Sequence, residues 1–264
     1  MSVLEVIKAD GVATLVMSRP SCKNALNLDM RQAMLDTLAD IRHDADIRAV
    51  LLTGAGDDFC AGGDVGTMSR LEGDAAATRS RMAETNRIAL ALAGLERPVI
   101  AAVDGIAYGA GFSLALAADF IVASERARFC MAFARIGVVP DLGATYFLPR
   151  VVGLQKAKEL IYTAREISAN EALMLGIALE VVPFEDFRAR ATQLAYAMAN
   201  MSPTAYSLTK HLLAHSLSNT LDSQLDEEAN AQAIALASAY AKDATARFMR
   251  KEPLPFRWPK PLKA

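Results

Sequence analysis

The sequence predicts an α/β fold built on parallel or mixed strands. Three observations carry this reading: short β-branched apolar runs recur along the chain, several end on glycine-rich turns, and helical periods separate them. The fullest example runs from Arg97 to Ser124, RPVIAAVDGIAYGAGFSLALAADFIVAS. Val99 to Val103 is a buried strand, Gly105, Gly109 and Gly111 permit a tight turn, and helix formers follow from Ala110. A helix opening on such a turn presents unpaired backbone N–H groups and the positive end of its dipole. Ala110 and Gly111 therefore face an anion or a developing negative charge.

Taken in order, Leu4 to Lys8 and Val12 to Ser18 flank Asp10-Gly11, a hairpin signal, and Arg19-Pro20 stops the second strand. Leu28, Met30, Ala33, Met34, Leu38 and Ile41 give a helical period that starts behind an Asn27 cap and ends near His43. Ile47 to Thr53 is a buried strand, and FCAGGDV then makes a second glycine turn at Gly62 and Gly63. A helix from about Ala75 to Leu95 leads into the segment described above, and Phe120 to Ala123 and Arg128 to Met131 are further strands. Pro140 ends an apolar stretch, and Asp141 opens a short helix at Leu142. Ser168 and Glu171 form a capping box whose helix stops at Gly176, and Val181-Val182-Pro183 closes the core.

Phe184 to Ala199 is an amphipathic helix, and Ser202-Pro203 caps a region that is almost wholly helical to Lys251. Leu221, Leu225, Ala229, Ala233, Leu236 and Tyr240 form an apolar stripe too long for a lone helical tail to hide. It predicts docking against the core or another subunit. The chain thus divides into a core over 1–200 and a C-terminal helical region over 201–264.

At 264 residues the chain is long enough for one large core. A net charge of −2 leaves no basic excess for nucleic acid and no polybasic membrane patch. No secretory signal and no uncharged apolar window of spanning length is visible. Cys22, Cys60 and Cys130 are an odd, scattered trio without a CxxC, which fits free thiols in a reducing cytoplasm. The composition favours small-molecule partners or copies of the same chain.

Several motifs compete for the central turn. Its GxxxGxG spacing is neither the dinucleotide GxGxxG nor a P-loop, since no GK[ST] follows. Gly111 to Ala115 comes close to a GxSxG nucleophile elbow with Ser113 as nucleophile. Glycines that only permit close packing are the plainest alternative. His211 and His215 share a helical face, yet no HExxH glutamate or third ligand accompanies them, so no metal is expected.

The residues FCAGGDV at 59–65, AVDGIAYGAG at 102–111, IGVVPDLGATYFLPR at 136–150, ISANEALMLG at 167–176 and FMRK at 248–251 resemble, in order and separation, the crotonase superfamily of enoyl-CoA hydratases and isomerases. Within it, FCMAFARIGVVPDLGATYFLPR is most similar to the ring-epoxide isomerases of bacterial phenylacetate degradation, the 1,2-epoxyphenylacetyl-CoA isomerase type. The resemblance implies a spiral of ββα repeats, a C-terminal trimerisation region, and a homotrimer or a dimer of trimers. It implies an acyl-CoA substrate, with coenzyme A arriving as part of the thioester and no separate cofactor. The thioester oxygen would sit between the backbone N–H groups of Gly63 and Ala110, where donors fixed in advance stabilise an enolate.

Coenzyme A contacts are implied at Lys23, Ala61, Asp64 and Val65, with Phe248 and Lys251 supplied by a neighbouring subunit. Asp64 reads first as a cap for the turn after Gly63, and a lone surface lysine such as Lys23 is common on any protein. Cys60 and Met68 are expected to pack near the acyl pocket without thiol chemistry, its walls coming from the segment near Thr67 to Arg87. The two glutamates of the family's hydratases align with Ser113 and Phe133, neither acidic. What remains is Asp141, where the resemblance implies the acid/base of a double-bond shift. Val139, Pro140 and Leu142 flank it; if they exclude water, its pKa rises. The competing reading is a helix cap. The expected function is an acyl-CoA isomerase. Hydratase-like or acyl-CoA hydrolase activity on the same fold is one alternative, and a non-catalytic scaffold for coenzyme A thioesters is the other.

Overall fold

The computed structural model describes residues 2–68 and 74–260, with Thr67 and Met68 described by backbone alone. The expected packing of Met68 and the first part of the segment near Thr67 to Arg87 therefore fall outside the described side chains. The chain opens with β1 (Leu4–Ala9), β2 (Val12–Met17), α1 (Leu28–His43) and β3 (Ala49–Gly54). It continues with α2 (Val65–Met68), α3 (Ala75–Ala93), β4 (Val99–Val103), β5 (Ile106–Tyr108) and α4 (Ala110–Leu116). Next come β6 (Phe120–Ser124), β7 (Arg128–Cys130), α5 (Ala144–Val152), α6 (Leu154–Thr163), β8 (Glu166–Ser168), α7 (Ala169–Met174) and β9 (Glu180–Val182). Four helices finish it: α8 (Phe184–Ala199), α9 (Pro203–His215), α10 (Leu221–Ala237) and α11 (Ala239–Met249).

Two sheets organise these elements. The larger runs β1-β2-β3-β4-β6-β9, and the smaller β5-β7-β8. β1 and β2 form the antiparallel hairpin expected at Asp10-Gly11, both residues at positive φ, and every later neighbour in the larger sheet is parallel. Its strands read as continuous apolar runs because both faces are covered. Ala49, Leu51, Ile100 and Ala102 pack on one face against Phe187, Leu194 and Met198 of α8. Val50, Leu52, Val99 and Ala101 join Met30, Met34 and Ile88 of α1 and α3 on the other.

The chain steps repeatedly from the larger sheet to the smaller before making a helix: β4 to β5 to α4, then β6 to β7 and onward to α5. This is the ββα repeat of the crotonase fold. The corner between β4 and β5 needs Gly105, at φ +59, where a Cβ would lie 1.9 Å from the Asp57 carbonyl oxygen. After β3 the chain reaches the smaller sheet only at Cys60, whose N–H donates to Ile106 O at 2.9 Å and whose carbonyl accepts from Tyr108 N–H at 2.9 Å.

Three expectations need correction. α5 begins at Ala144 behind Gly143, with no side-chain cap, because Leu142 (φ +49) and Gly143 (φ +78) turn the chain away first. Asp141 therefore does not cap it. The box at Ser168 is half formed: Ser168 Oγ accepts from Glu171 N–H at 3.2 Å, but the Glu171 carboxylate binds Arg165 instead. Ser168 also ends β8 opposite Arg128, so its backbone belongs to the ladder. The apolar stripe of α10 does not dock on the chain's own core. No residue of α10 is buried, and Leu221, Leu225 and Leu236 are 74%, 54% and 59% exposed.

A half-buried charge pair helps tie the helical region to the core. Lys210 of α9 donates to Asp119 Oδ2 at 2.9 Å, and the same oxygen accepts from Val99 N–H at the start of β4. The chain end returns to the core as well. Arg190 of α8, almost fully buried, pairs with Glu180 and donates to the Lys260 carbonyl at 2.9 Å, and the Trp258 ring lies against Phe120.

Candidate active site

Two backbone amides stand out, and the pairing around each explains why. Gly63 forms a parallel bridge with Leu26, in which Leu26 N–H donates to Gly62 O at 2.8 Å and Asp64 N–H donates to Leu26 O at 3.3 Å. In a parallel bridge the central residue's own N–H points away from its partner. Among the described residues the Gly63 N–H donates no hydrogen bond. Ala110 is the first residue of α4, where an N–H has no intrahelical acceptor, and among the described residues it too donates none.

Gly109 sets the direction of the Ala110 amide. Its φ of 49° and ψ of −121° belong to glycine, and its own N–H is fixed on Cys130 O at 2.8 Å. The two turns meet backbone to backbone. A Cβ at Gly62 would sit 2.7 Å from Tyr108 O and 3.3 Å from Ala110 N, and one at Gly111 would sit 2.2 Å from Cys60 O. Close packing and conformational need are thus separate roles, held by Gly111 and Gly109 respectively.

A polar frame holds the second turn. Asn24 is fully buried at φ +56, receives Arg19 N–H at 2.9 Å and donates to the carbonyls of Ala55 and Asp58. Lys23 O accepts from Ala61 N–H at 2.8 Å, while its exposed Nζ lies 3.6 Å from Asp58. Asp64 Oδ2 accepts from Arg19 at 2.9 Å. Lys23, Ala61, Gly63, Asp64 and Val65 therefore share one neighbourhood with Ala110. Phe248 and Lys251 are exposed at the end of α11, and among the described residues no hydrogen bond or ion pair links them to it.

Asp141 approaches from the loop before α5. The N–H of its neighbour Leu142 donates to Asn86 Oδ1 on α3 at 3.1 Å, while Asp141 Oδ1 is buried with no hydrogen-bond partner among the described residues. Burial pushes this carboxyl above the usual carboxylate range, and the Arg31 charge pulls the other way. The flanking residues contribute unequally: Leu142 is fully buried, but Val139 is 79% exposed, so the desolvation does not come from the valine. Arg31 Nη1 donates to Thr85 Oγ1 at 2.9 Å, and its Nε is buried without a partner among the described residues. Arg31 and Thr85 also line a cavity of about 370 Å³ between α1 and α3, with Leu28, Gln32, Ser80 and Arg81.

Where the sequence aligns with two glutamates, the structure holds a hydroxyl and a ring. Ser113 is fully buried and its Oγ donates to Gly109 O at 3.2 Å, an interaction that steadies the first turn of α4. The Phe133 ring is the nearest group to a Cβ built at Gly109, at 3.8 Å. Ser113 has no histidine partner among the described residues, and His211 and His215 stack on each other. Burial raises the Cys60 thiol to about 12, so it stays protonated and packs as a small apolar group. Among the described residues no group of His, Cys, Asp and Glu is set to hold a metal ion, and no helix is long and apolar enough to cross a membrane.

Sequence reasoning missed Arg19, Asn24, Arg31 and Asn86. Arg31 had a signal: it lies three and seven residues before Met34 and Leu38, at the border of the buried stripe of α1. A charge there faces partly inward.

Comparison with known proteins follows this geometry. Residues 8–259 match the family model described as enoyl-CoA hydratase/isomerase. The 1,2-epoxyphenylacetyl-CoA isomerase of Escherichia coli is 37% identical over 205 residues, 77% of this chain and 78% of that one. The short-chain-enoyl-CoA hydratase of Clostridium acetobutylicum is 36% identical over 210 residues, 79% of this chain and 80% of that one. Among solved structures, an enoyl-CoA hydratase/isomerase from Cupriavidus metallidurans superposes with a TM-score of 0.95 at 39% identity, covering 99% of each chain.

Proposed function

We propose that this chain, which belongs to the enoyl-CoA hydratase/isomerase family, is an acyl-CoA isomerase that shifts a double bond, or rearranges an unsaturated or ring-derived acyl group, through an enolate. The observation that carries the reading is a pair of amides, Gly63 and Ala110, that donate no hydrogen bond among the described residues and sit on two turns in backbone contact; the carboxyl of Asp141, buried at Oδ1, supplies the acid/base. Asp141 removes a proton from the carbon α to the thioester carbonyl of a 3-enoyl chain, or from the γ carbon of a 2-enoyl chain. The electron pair moves onto the carbonyl oxygen, where the two N–H groups receive it, and Asp141 returns the proton to a different carbon. Nothing else is consumed. A carboxylate desolvated in this way is the stronger base.

Hydration needs one group to activate water and a second to deliver a proton. The buried Ser113 hydroxyl and the Phe133 ring supply neither, which favours isomerase over hydratase. The hydratase reading keeps support from the Clostridium relative, with Asp141 then assisting water. Lys23, Ala61, Asp64 and Val65 frame the coenzyme A end, and the Asp64 bond to Arg19 gives that aspartate a structural duty as well. Phe248 and Lys251 serve the site of an adjacent copy. The uncovered stripe of α10 supports a homotrimer or hexamer, and light scattering should give a mass of three or six chains. The reduced cysteines are consistent with a cytoplasmic enzyme acting on a small molecule, without nucleic acid or membrane.

Incubation with 3-enoyl and 2-enoyl thioesters in deuterated water tests the reaction. The expected result is migration of the double bond with deuterium entering the acyl chain. Release of free coenzyme A thiol would indicate a hydrolase, formation of a hydroxyacyl product a hydratase, and binding without turnover a scaffold.

A further inference from the structure

The proposed mechanism uses the carboxylate of Asp141 but leaves without a task the half-buried guanidinium of Arg31, whose charge acts on that carboxylate. Arg31 and Asp141 come from elements more than a hundred residues apart, and α3 brings them together through adjacent residues. Thr85 Oγ1 receives Arg31 Nη1 at 2.9 Å, and Asn86 Oδ1 receives the N–H of Leu142 at 3.1 Å. Thr85 is held in turn, its hydroxyl donating to Arg81 O at 2.9 Å. Each of the two residues keeps one buried atom with no hydrogen-bond partner among the described residues, Nε of Arg31 and Oδ1 of Asp141. A buried ion without a full set of partners is costly unless an opposite charge lies close by.

We propose that Arg31 is a positioning residue for Asp141: fixed by Thr85 on the same turn of α3 that holds Leu142, it supplies the counter-charge that keeps the carboxylate ionised and aimed. This rests on the acid/base reading of Asp141 given above. The surroundings leave few other candidates. The sequence of α4, AGFSLAL, carries no charge, and Arg150 of α5 lies over the Tyr146 ring. On α3, Thr85 and Asn86 do not ionise and Glu84 pairs with Arg87; Arg81, whose Nε is also buried without a partner among the described residues, donates Nη2 to Thr78 and is not among the charges that shift Asp141. Asp64 also acts on Arg31, but it is in direct contact with Arg19 at 2.9 Å. Among the described residues the charge of Arg31 opposes the effect of burial on Asp141.

Two variants of the full-length protein test this. Arg31→Met removes the charge at similar volume, and Arg31→Lys keeps it. The first readout is the titration of Asp141 by carboxyl carbon NMR, with the signal assigned by its loss in Asp141→Asn. In Arg31→Met the midpoint should move up by about one pH unit or more, because only the hydrogen bond from its own backbone N–H then opposes desolvation, and in Arg31→Lys it should stay near the parent value. The second readout is turnover of an enoyl thioester. In Arg31→Met the acid limb of kcat should move upward with KM little changed and the rate should recover at high pH. An unchanged titration in a folded Arg31→Met protein overturns the proposal. So does a rise in KM with kcat and its pH profile intact, which would make Arg31 an acyl-chain contact instead. Full activity in Asp141→Asn would instead sink the acid/base reading, whatever the NMR result.

Discussion

Asp141→Asn is expected to lower the rate of double-bond migration by about 10²- to 10⁴-fold, the usual contribution of a positioned acid or base. The amide matches the carboxylate in shape but cannot carry the proton from one carbon to the other. Thioester binding should survive, since the proposed grip on the carbonyl oxygen comes from Gly63 and Ala110. The loss must not be confused with unfolding, and the direction of the pKa shift allows the two to be told apart. Burial raises the Asp141 pKa in the folded state above its unfolded value. The folded protein therefore binds this proton more tightly than the unfolded chain does. Ionised Asp141 costs stability at neutral pH, and that cost disappears as pH falls below the unfolded value of about 3.9. Asn mimics the protonated form, so the variant should melt no lower than the parent at neutral pH. In the parent, kcat should fall on the acid side with a midpoint above that of an ordinary carboxylate. A variant that keeps full activity, or a pH profile flat through this range, removes Asp141 from the chemistry.

What was legible in the sequence was mostly local. Asp10-Gly11 specified its hairpin because both residues tolerate positive φ, and Asn27 capped α1 by accepting from Met30 N–H as its position behind an apolar period implies. The strands over Val99–Val103 and Ala49–Gly54 were legible as buried because the sheet is covered on both faces. The stripe of α10 is legible as apolar and lies exposed on this chain, and periodicity cannot name a surface that would cover it. The competing cap reading of Asp141 fails because two successive positive-φ residues, one of them leucine, delay α5, and no propensity scale anticipates Leu142 at φ +49. The link from Arg31 through α3 to Asp141 was hidden for a different reason. It joins three distant segments by single hydrogen bonds, and none of the three has a local pattern that requires the others.

Gly109→Ala should lower kcat/KM by about 10²- to 10³-fold, the typical worth of one donor on a developing oxyanion. The reasoning separates room from conformation. A Cβ at this position would meet only the Phe133 ring, at 3.8 Å, which is ordinary contact. The backbone is the obstacle, because φ 49° with ψ −121° is strained for any residue bearing a Cβ, at a cost of about 1–3 kcal/mol. The chain relieves that strain most easily by rotating the 109–110 peptide, and that rotation carries the Ala110 N–H off its line. Gly137→Ala is the matched control. It too sits at positive φ, 69°, with nothing within 4 Å of a built Cβ, yet it belongs to the turn after Phe133 and not to either amide-bearing turn. A comparable loss of stability in the two variants, with activity lost in Gly109→Ala alone, ties the rate to the direction of one amide. If Gly109→Ala turns over within a few-fold of the parent, the Ala110 N–H is not a catalytic donor, and the oxyanion must be held some other way.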